Sequence, residues 1–337
     1  MWQVVGNSRA VSLLQRGLAE GSLAHAYLLS GPRQVGKMKL ALELARAVNC
    51  EASETPCGVC RSCERIASGK HADVQVIGFI QGERDDRLRR EIGIDQIREM
   101  QKQVSLPPFE GRCKVFIIDG AEALTSEAAN SLLKTLEEPV GRVLFILLTQ
   151  DGGLLPETVV SRCQEVRLAP LSAYEVEAFL GNSLGVESSK AKLLACLAQG
   201  RIGWAVNAAR DESLLTERKE VLAEALSLIS ANFDSRFKRA GELALEFGRE
   251  PTKTRERLGL WCELFRDLLL VRLGSESEIT NIDLREKLRN LAETLEPGEL
   301  RDFLGCLRQA ETQLRLNASP RLVFEVLMLK LPRRKGV

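Results

Sequence analysis

Short apolar runs alternate with amphipathic segments along the first half of the chain. The runs have the length of strands, and between them apolar residues recur at the three- and four-residue spacing of helices. Near-continuous apolar runs are typical of parallel strands that are covered on both faces, so the pattern predicts an α/β fold whose site lies at the carboxyl edge of a parallel sheet. The predicted strands are Ala26–Leu29, Val74–Ile77, Lys114–Asp119, Val143–Leu148 and Glu165–Leu168.

From Leu171 onward the strand-like runs disappear and helical spacing continues to the end of the chain. We therefore predict an α/β part followed by an all-α part: a nucleotide-binding-like domain over residues 1–169, a small helical domain over 170–208 and a larger helical domain over 209–337. In the larger domain one apolar face is wide enough for both a core and a partner, although a helical core alone also explains it. Its residues are Leu260, Trp261, Leu264, Phe265, Leu268 and Leu269.

A glycine-rich turn, Gly31–Met38 (GPRQVGKM), follows the first predicted strand and leads into a helix. This is the layout of a phosphate loop, in which Gly31 and Gly36 allow the tight turn, backbone N–H groups meet a polyanion and Lys37 reaches the outer phosphates. The usual last residue is Ser or Thr, whose hydroxyl binds Mg²⁺, but Met38 carries a thioether. We predict a degenerate nucleotide site, and the sequence leaves open whether ATP and Mg²⁺ bind. The alternative is an ordinary strand–turn–helix joint.

Two other polar residues end predicted strands at the same edge of the sheet. Asp119 would hold Mg²⁺ beside a phosphate loop, and Thr149 would touch a γ-phosphate. Gly120 stands where a hydrolase of this kind needs a carboxylate to orient water, and nothing in the sequence gives that role to Glu122. Simpler explanations exist for both polar residues, since Asp often forms a turn after a strand and Thr can cap a strand end.

Four of the nine cysteines lie close together in a polar segment. Cys50, Cys57, Cys60 and Cys63 are separated by six, two and two residues, and tight C-x₂-C turns of this kind bring thiolates together around tetrahedral zinc. All four ligands would be thiolates, which leaves no position open for a substrate water. We therefore predict a structural Zn²⁺ site. An odd number of cysteines does not suit a disulfide framework.

The charge balance excludes few partners but favours none. The chain has 47 Lys and Arg against 46 Asp and Glu, a net charge of +1, so it has no overall field for nucleic acid or membranes. No stretch approaches 18 uninterrupted apolar residues, and the first residues do not form a secretion signal. These features predict a cytoplasmic protein without a membrane partner.

Taken together, these features resemble the subunits of the bacterial clamp loader, within the AAA+ superfamily of ATPases. The resemblance rests on the phosphate loop, the four-cysteine insert after its helix, the stretch Asn130–Pro139 (NSLLKTLEEP) and the tripeptide Ser161–Cys163 (SRC). It is firm to about residue 205 and fainter beyond, where Asn317–Leu322 looks like the last helix of the family's collar. It implies a RecA-like AAA+ domain with a zinc insert, a helical lid and a C-terminal collar for assembly, and it favours a partner on the apolar face around Trp261.

Three departures from that family concern catalysis. Its motor subunits have a phosphate loop ending in Lys-Thr, an Asp-Glu-Ala-His segment and a lid arginine in a Gly-Ser-x-Arg stretch, whereas this chain has Lys37-Met38, Asp119–Glu122 (DGAE) and Gly200–Gly203 (GRIG). The SRC tripeptide is intact. This combination is similar to the non-hydrolysing stator subunits of the family, the delta-prime type. The resemblance then implies that Arg162 acts in trans, as an arginine finger in the nucleotide site of a neighbouring motor.

The resemblance also implies the partners. They are the gamma/tau motor and delta subunits and, through the complex, the sliding clamp and primer-template DNA. Two other functions compete with this one. An ATP-hydrolysing motor of the same complex is disfavoured by Met38, Gly120 and Gly203, and a small-molecule kinase with a phosphate loop is disfavoured by the cysteine insert and the long helical half. Without the family, Arg162 is simply a solvated charge in a turn.

Overall fold

The computed structural model describes residues 2–78, 91–139 and 141–334. The chain divides into two compact units, Met1–Phe179 with Gly200–Trp204, and Leu180–Gln199 with Ala205–Val337. The three domains expected from the sequence, with boundaries at residues 169 and 208, divide the chain differently and stay a prediction. Among the described helices, none combines the length and the apolar character needed to cross a membrane.

The first unit is built on a five-stranded sheet. Its strands are β1 (Ala26–Ser30), β2 (Val74–Ile77), β3 (Lys114–Asp119), β4 (Val143–Thr149) and β5 (Gln164–Arg167). All neighbours pair in parallel, in the order β2-β3-β4-β1-β5. Every residue of β1 and β4 is buried, as strands covered on both faces require. The predicted α/β fold with a RecA-like parallel sheet is confirmed.

Helices cover both faces of this sheet. Alternate strand residues point to opposite faces, so Ile117 and Ile146 join one apolar cluster and Phe116 and Phe145 the other. The first cluster also contains residues of α1 and α2, and the second contains residues of α4 and α5. The helices up to β5 are α1 (Ser8–Ala19), α2 (Lys37–Asn49), α3 (Arg61–Ala67), α4 (Ile94–Val104), α5 (Ser126–Glu137) and α6 (Glu157–Val160).

Local sequence explains where the helices nearest the site begin and end. Helix α5 begins after Thr125, whose side chain accepts a hydrogen bond from Ala128 N, and Pro139 follows its end. Helix α2 begins after Gly36, whose φ of 109° lies in the left-handed region that glycine adopts without strain. The phosphate loop and the end of α5 are therefore set by turn and cap residues that are visible in the sequence.

Beyond β5 the described residues form helices and short 3₁₀ turns, which confirms the predicted all-α second half. The helices are α7 (Ala173–Leu184), α8 (Ser188–Ala198), α9 (Ile202–Arg210), α10 (Ser213–Ile229), α11 (Phe233–Arg249), α12 (Pro251–Arg272), α13 (Arg285–Ala292), α14 (Pro297–Arg315) and α15 (Pro320–Lys330).

The apolar face of α12 lies in the core of the second unit. Trp261, Leu264, Phe265 and Leu268 are completely buried there, among residues of α10, α11, α13, α14 and α15. These four residues are therefore core, as the simpler explanation had it, whereas Leu260 and Leu269 on the same face are only partly buried, and a partner there stays a prediction. The exposed apolar side chains of the second unit include Leu322, Val326 and Leu329 on α15.

Candidate functional site

The phosphate loop connects the end of β1 to the start of α2, as predicted. Gly31 has a φ of 149°, and a Cβ atom added there would lie 2.3 Å from the carbonyl oxygen of Leu168. Its N–H donates to Thr149 O at 3.2 Å, so the loop begins in close contact with the neighbouring strand β4. A side chain at this position would push the loop off the sheet edge, so the loop geometry requires both of its glycines.

Lys37 is folded back onto its own loop. Its Nζ donates to Gly31 O at 2.5 Å and to Pro32 O at 2.7 Å. Partial desolvation lowers the pKa of Lys37, and the nearby negative charges of Glu122 and Asp119 act in the opposite direction. The ammonium group thus lies where a phosphate-loop lysine is expected, but two of its three donors are engaged by the loop.

Asp119 and Glu122 share this edge of the sheet with Lys37. Desolvation raises the pKa of Asp119, Lys37 opposes that shift, and Glu122 adds to it. Glu122 accepts a hydrogen bond from Gln150 Nε2 at 3.0 Å, and its other carboxylate oxygen is buried without a partner among the described residues. Gln150 was not singled out from the sequence, and the only signal was its position directly after β4.

Thr149 also ends its strand at this edge. Its side chain is buried, and its hydroxyl donates to Asp151 O at 2.9 Å and lies 3.3 Å from Asp151 N as an acceptor. The hydroxyl therefore closes the turn after β4 in this structure. That is the simpler of the two explanations considered from the sequence.

The two remaining positions that differ from the motor pattern lie against the loop or the core. Met38 packs in the first turn of α2 against the apolar cluster that α1 and α2 form with the sheet, so it offers no oxygen to the site. Gly203 donates its N–H to Gln34 O at 2.8 Å, and a Cβ atom added there would lie 3.0 Å from the same oxygen. A lid arginine at position 203 would therefore require the phosphate loop to move.

The four predicted metal ligands come together. The Sγ atoms of Cys50, Cys57, Cys60 and Cys63 all lie within 4.8 Å of one another, and those of Cys50 and Cys60 are 4.0 Å apart. Four thiolates around a tetrahedral zinc would be about 3.8 Å apart, given a Zn–S distance of about 2.3 Å. No other group of three or more potential metal ligands meets this criterion in the described part of the chain. This cluster could hold a metal ion.

Backbone N–H groups point at these sulfurs. Cys57 N donates to Cys50 Sγ at 3.4 Å, and Cys60 N donates to Cys57 Sγ at 3.3 Å. Hydrogen bonds from Val59 and Cys60 lower the pKa of Cys57 to about 6, whereas burial raises the pKa of Cys63 to about 12. Donors aimed at sulfur favour thiolates, the form in which cysteine binds metal. The chemistry of the donor set therefore fits a closed four-thiolate site.

A buried hydrogen-bond chain connects this cysteine module to the sheet. Ser62, which precedes the ligand Cys63 in α3, has its Oγ 2.9 Å from His71 Nε2. Asp73 N donates to His71 Nδ1 at 3.1 Å, so Nε2 carries the proton and donates to Ser62. Sequence reasoning missed these residues because an isolated serine and histidine give no signal of their pairing.

Two buried side chains then hold a surface loop. Asp73 accepts from the N–H groups of residues 109, 110 and 111 at 2.7, 2.8 and 2.7 Å, and Asn49 Oδ1 accepts from those of residues 112 and 113 at 2.8 and 3.0 Å. Five consecutive backbone donors are satisfied in this way. The loop is therefore fixed although Phe109, at its tip, is 86 % exposed.

Arg162 lies just after α6, and its hydrogen-bond partners belong neither to the phosphate loop nor to the cysteine module. Its Nη1 donates to Thr158 O at 2.8 Å and more weakly to Ser161 Oγ at 3.4 Å, and its Nη2 donates to Glu137 Oε1. The side chain is 32 % exposed. None of its hydrogen bonds within the described residues involves Lys37 or Asp119. No pattern in the sequence indicated that Glu137, 25 residues earlier, is the ion-pair partner.

Comparison with known proteins finds similarity to subunits of DNA polymerase III. The family described as DNA polymerase III, delta subunit, matches residues 6–172. DNA polymerase III subunit tau of Bacillus subtilis is 30 % identical over 353 residues, 97 % of this chain and 60 % of that protein. Subunit delta' of the same organism is 29 % identical over 324 residues, 96 % of this chain and 95 % of that protein.

The chain spans between 53 and 60 % of the length of the tau subunits that it matches, those of B. subtilis, Salmonella typhimurium and Escherichia coli. Among solved structures, a gamma subunit-related protein from Thermotoga maritima is 19 % identical, covers 94 % of this chain and 97 % of its own length, and gives a TM-score of 0.42. The family match covers the residues of the phosphate loop, the cysteine insert and the SRC tripeptide. The chain belongs to the clamp-loader family of DNA polymerase III.

Proposed function

We propose that this chain is a stator subunit of the bacterial clamp loader, of the delta-prime type. In this role it completes the loader without hydrolysing ATP, assembles with gamma/tau motor subunits and a delta subunit, and helps to load the sliding clamp onto primed DNA in the cytoplasm. Arg162 is the residue that acts in catalysis, as an arginine finger in the nucleotide site of a neighbouring motor, where it stabilises charge on the transferred γ-phosphoryl group.

The observation that supports a stator is the chemistry around the phosphate loop. Met38 packs against the core at the position where a hydroxyl would bind Mg²⁺, and a Cβ atom at position 203 would lie 3.0 Å from Gln34 O, so a lid arginine there would require the phosphate loop to shift. Gly120 cannot orient a water molecule. The loop thus keeps the shape of a nucleotide site without the groups that hydrolysis needs.

We further propose that the four cysteines hold a structural Zn²⁺. A zinc ion bound by four thiolates has no open coordination position, so the metal would stabilise the module between α2 and α3 and take no part in chemistry. The ion would supply folding free energy to a segment that has few apolar residues of its own.

An ATP-hydrolysing motor of the same loader is the second candidate. Two observations favour it: tau subunits are as similar to this chain as the delta' subunit is, and Lys37, Asp119 and Glu122 still share one edge of the sheet. Because these observations and those at Met38 and Gly203 point in opposite directions, an activity measurement has to decide between the two subunit types.

The deciding experiment measures steady-state ATP hydrolysis by the purified chain. We expect no turnover above that of a Lys37→Ala control, because Met38 cannot bind Mg²⁺ and Gly120 cannot position the attacking water. Equilibrium binding of ATP, measured in the same samples, reports separately whether the loop still holds nucleotide. Steady hydrolysis by the wild-type chain that is lost in Lys37→Ala would overturn the stator assignment in favour of the motor.

A further inference from the structure

Each of the three guanidinium nitrogens of Arg162 is already engaged or enclosed by its own chain. Nη1 donates to Thr158 O and Ser161 Oγ, Nη2 donates to Glu137 Oε1, and Nε is buried without a partner among the described residues. A guanidinium group binds a phosphate through two parallel N–H donors. Arg162 therefore cannot offer a free pair of nitrogens to a phosphate in this conformation.

Of these contacts, the one to Glu137 is the contact that a phosphate can replace most directly. Glu137 is the last residue of α5, its side chain is 49 % exposed, and it is an anion, as a phosphate is. The Thr158 contact uses a neutral carbonyl at the end of α6, next to Arg162 in the chain. Exchanging one anionic acceptor for another keeps the charge of the guanidinium paired throughout.

The Nε atom shows that the present conformation does not satisfy the whole guanidinium group. A buried N–H without an acceptor is unfavourable, because folding has removed the water that it would otherwise bind. Any reorientation that exposes this N–H or gives it an acceptor recovers part of that free energy. The contacts of Arg162 thus hold it in a position from which release is favoured once another anion is available.

We propose that Glu137 is a positioning residue. Its ion pair holds Arg162 in the conformation described above, and Arg162 leaves that conformation only when a neighbouring subunit presents a phosphate. The proposal rests on the role of Arg162 given above, and it extends that role to the stretch Asn130–Pro139, which has no other function here. Glu137 itself touches no substrate. It makes engagement of the finger depend on assembly, because its carboxylate competes with the phosphate for Nη2.

The competition should be modest in size. The ion pair is partly exposed, and pairs of this kind shift an equilibrium by about two- to fivefold. Removing the charge of Glu137 should therefore raise the fraction of loaders whose finger is engaged, and with it the finger-dependent hydrolysis rate, by about two- to fivefold. A residue that merely stabilises α5 would lower the rate or leave it unchanged.

The test uses a loader reconstituted from this chain with its motor and delta subunits, without clamp or DNA. ATP hydrolysis is measured for Glu137→Gln, Arg162→Ala and the double variant, with Glu138→Gln as a matched control. Glu138 is the next residue, is also exposed, and has no side-chain hydrogen bond or ion pair in the described structure. Thermal unfolding of each chain and gel filtration of each complex establish that the variants fold and assemble.

We expect the Arg162-dependent part of the hydrolysis rate, taken as the difference from the Arg162→Ala loader, to rise about two- to fivefold in Glu137→Gln. Glu138→Gln should match wild type, and the double variant should match Arg162→Ala. Suppose that Arg162→Ala lowers the rate. If Glu137→Gln then does not raise it, or raises it equally in the Arg162→Ala background, the positioning role of Glu137 is wrong, whereas the arginine-finger role of Arg162 is still supported. An equal rise in Glu138→Gln would show that the loss of any negative charge at this end of α5 raises the rate, and would also refute the positioning role of Glu137. If the Arg162→Ala loader assembles and hydrolyses ATP at the wild-type rate, the arginine-finger role of Arg162 is wrong, and the positioning role of Glu137, which depends on it, is wrong too.

Discussion

At the scale of single residues, Asp73 shows how one buried carboxylate fixes a surface loop. It accepts three backbone N–H groups, those of residues 109, 110 and 111, between 2.7 and 2.8 Å. Burial would raise the pKa of Asp73, but these three donors outweigh it and the pKa is lowered. The ionised form is therefore the one that the folded chain prefers.

We predict that Asp73→Asn destabilises the chain by about 1–3 kcal/mol, because an amide cannot accept all three N–H groups. A lowered pKa in the folded state contributes stability that is complete above the unfolded pKa of about 3.9 and is lost as the pH falls through the folded pKa. The difference in unfolding free energy between wild type and variant should thus be constant above about pH 5 and shrink below about pH 4. Urea unfolding across this range measures it.

Asp302→Asn is the control for this prediction, since Asp302 lies exposed on α14 and pairs only with its neighbour Arg301 among the described contacts. Its effect on the unfolding free energy should stay within about 1 kcal/mol. A loss in Asp73→Asn that is no larger than in the control, or that grows towards low pH, would show that the ionised carboxylate does not hold the loop.

Residues whose role depends on local spacing could be predicted from the sequence. The cysteine cluster and the two loop glycines follow from patterns within a few positions of one another. By contrast, the pairs Asp73 with Glu110 N and Arg162 with Glu137 join residues 37 and 25 positions apart. Such pairings are made by the fold, and a side chain that could pair with many others gives no advance sign of which one it meets.

At the scale of elements, strand positions were predicted well because buried parallel strands are apolar without interruption. β2 and β3 have the predicted bounds, and β5 is displaced by one residue. Partners of apolar helix faces were not predictable in this way. The face around Trp261 is core, whereas Leu322 and Val326 on α15 are exposed, although both faces have the same apolar spacing. Periodicity identifies an apolar face but does not say which surface covers it.

The cysteine module is an element whose fold should depend on metal. We predict that the purified chain carries one zinc ion and that Cys60→Ser loses it, because removing one of four thiolates opens the coordination shell. Metal analysis gives the zinc content, and limited proteolysis of residues 50–63 reports whether the module still folds. Cys306→Ala is the matched control, since Cys306 lies in α14 of the other unit. A wild-type chain without zinc, or full zinc in Cys60→Ser, would contradict the site.

At the scale of the whole molecule, the chain's own nucleotide site lacks side chains that catalysis needs, whereas the arginine-finger tripeptide is complete. The phosphate loop keeps its glycines and its lysine but has Met38, Gly120 and Gly203 where catalysis needs side chains. The SRC tripeptide keeps its arginine, and that arginine makes no hydrogen bond to Lys37 or Asp119 within the described residues. Under the proposed function, this chain's chemistry can therefore be observed only in a complex.

The last prediction follows from that separation and concerns Arg162→Ala. A finger supplied by a neighbour is worth about 10³–10⁵ in rate at the one site it serves, whereas the other motor sites receive fingers from other subunits. We therefore expect the variant chain to keep its fold, zinc content and assembly, the total ATPase of the loader to fall only partially, and clamp loading to fall further because it requires the sites to act together. Arg167→Ala, which removes a nearby exposed charge paired with Glu165, should match wild type in both assays. If the Arg162→Ala loader assembles and loads clamps at the wild-type rate, the finger is not supplied by this residue, and the stator would then contribute to the complex through its surfaces alone.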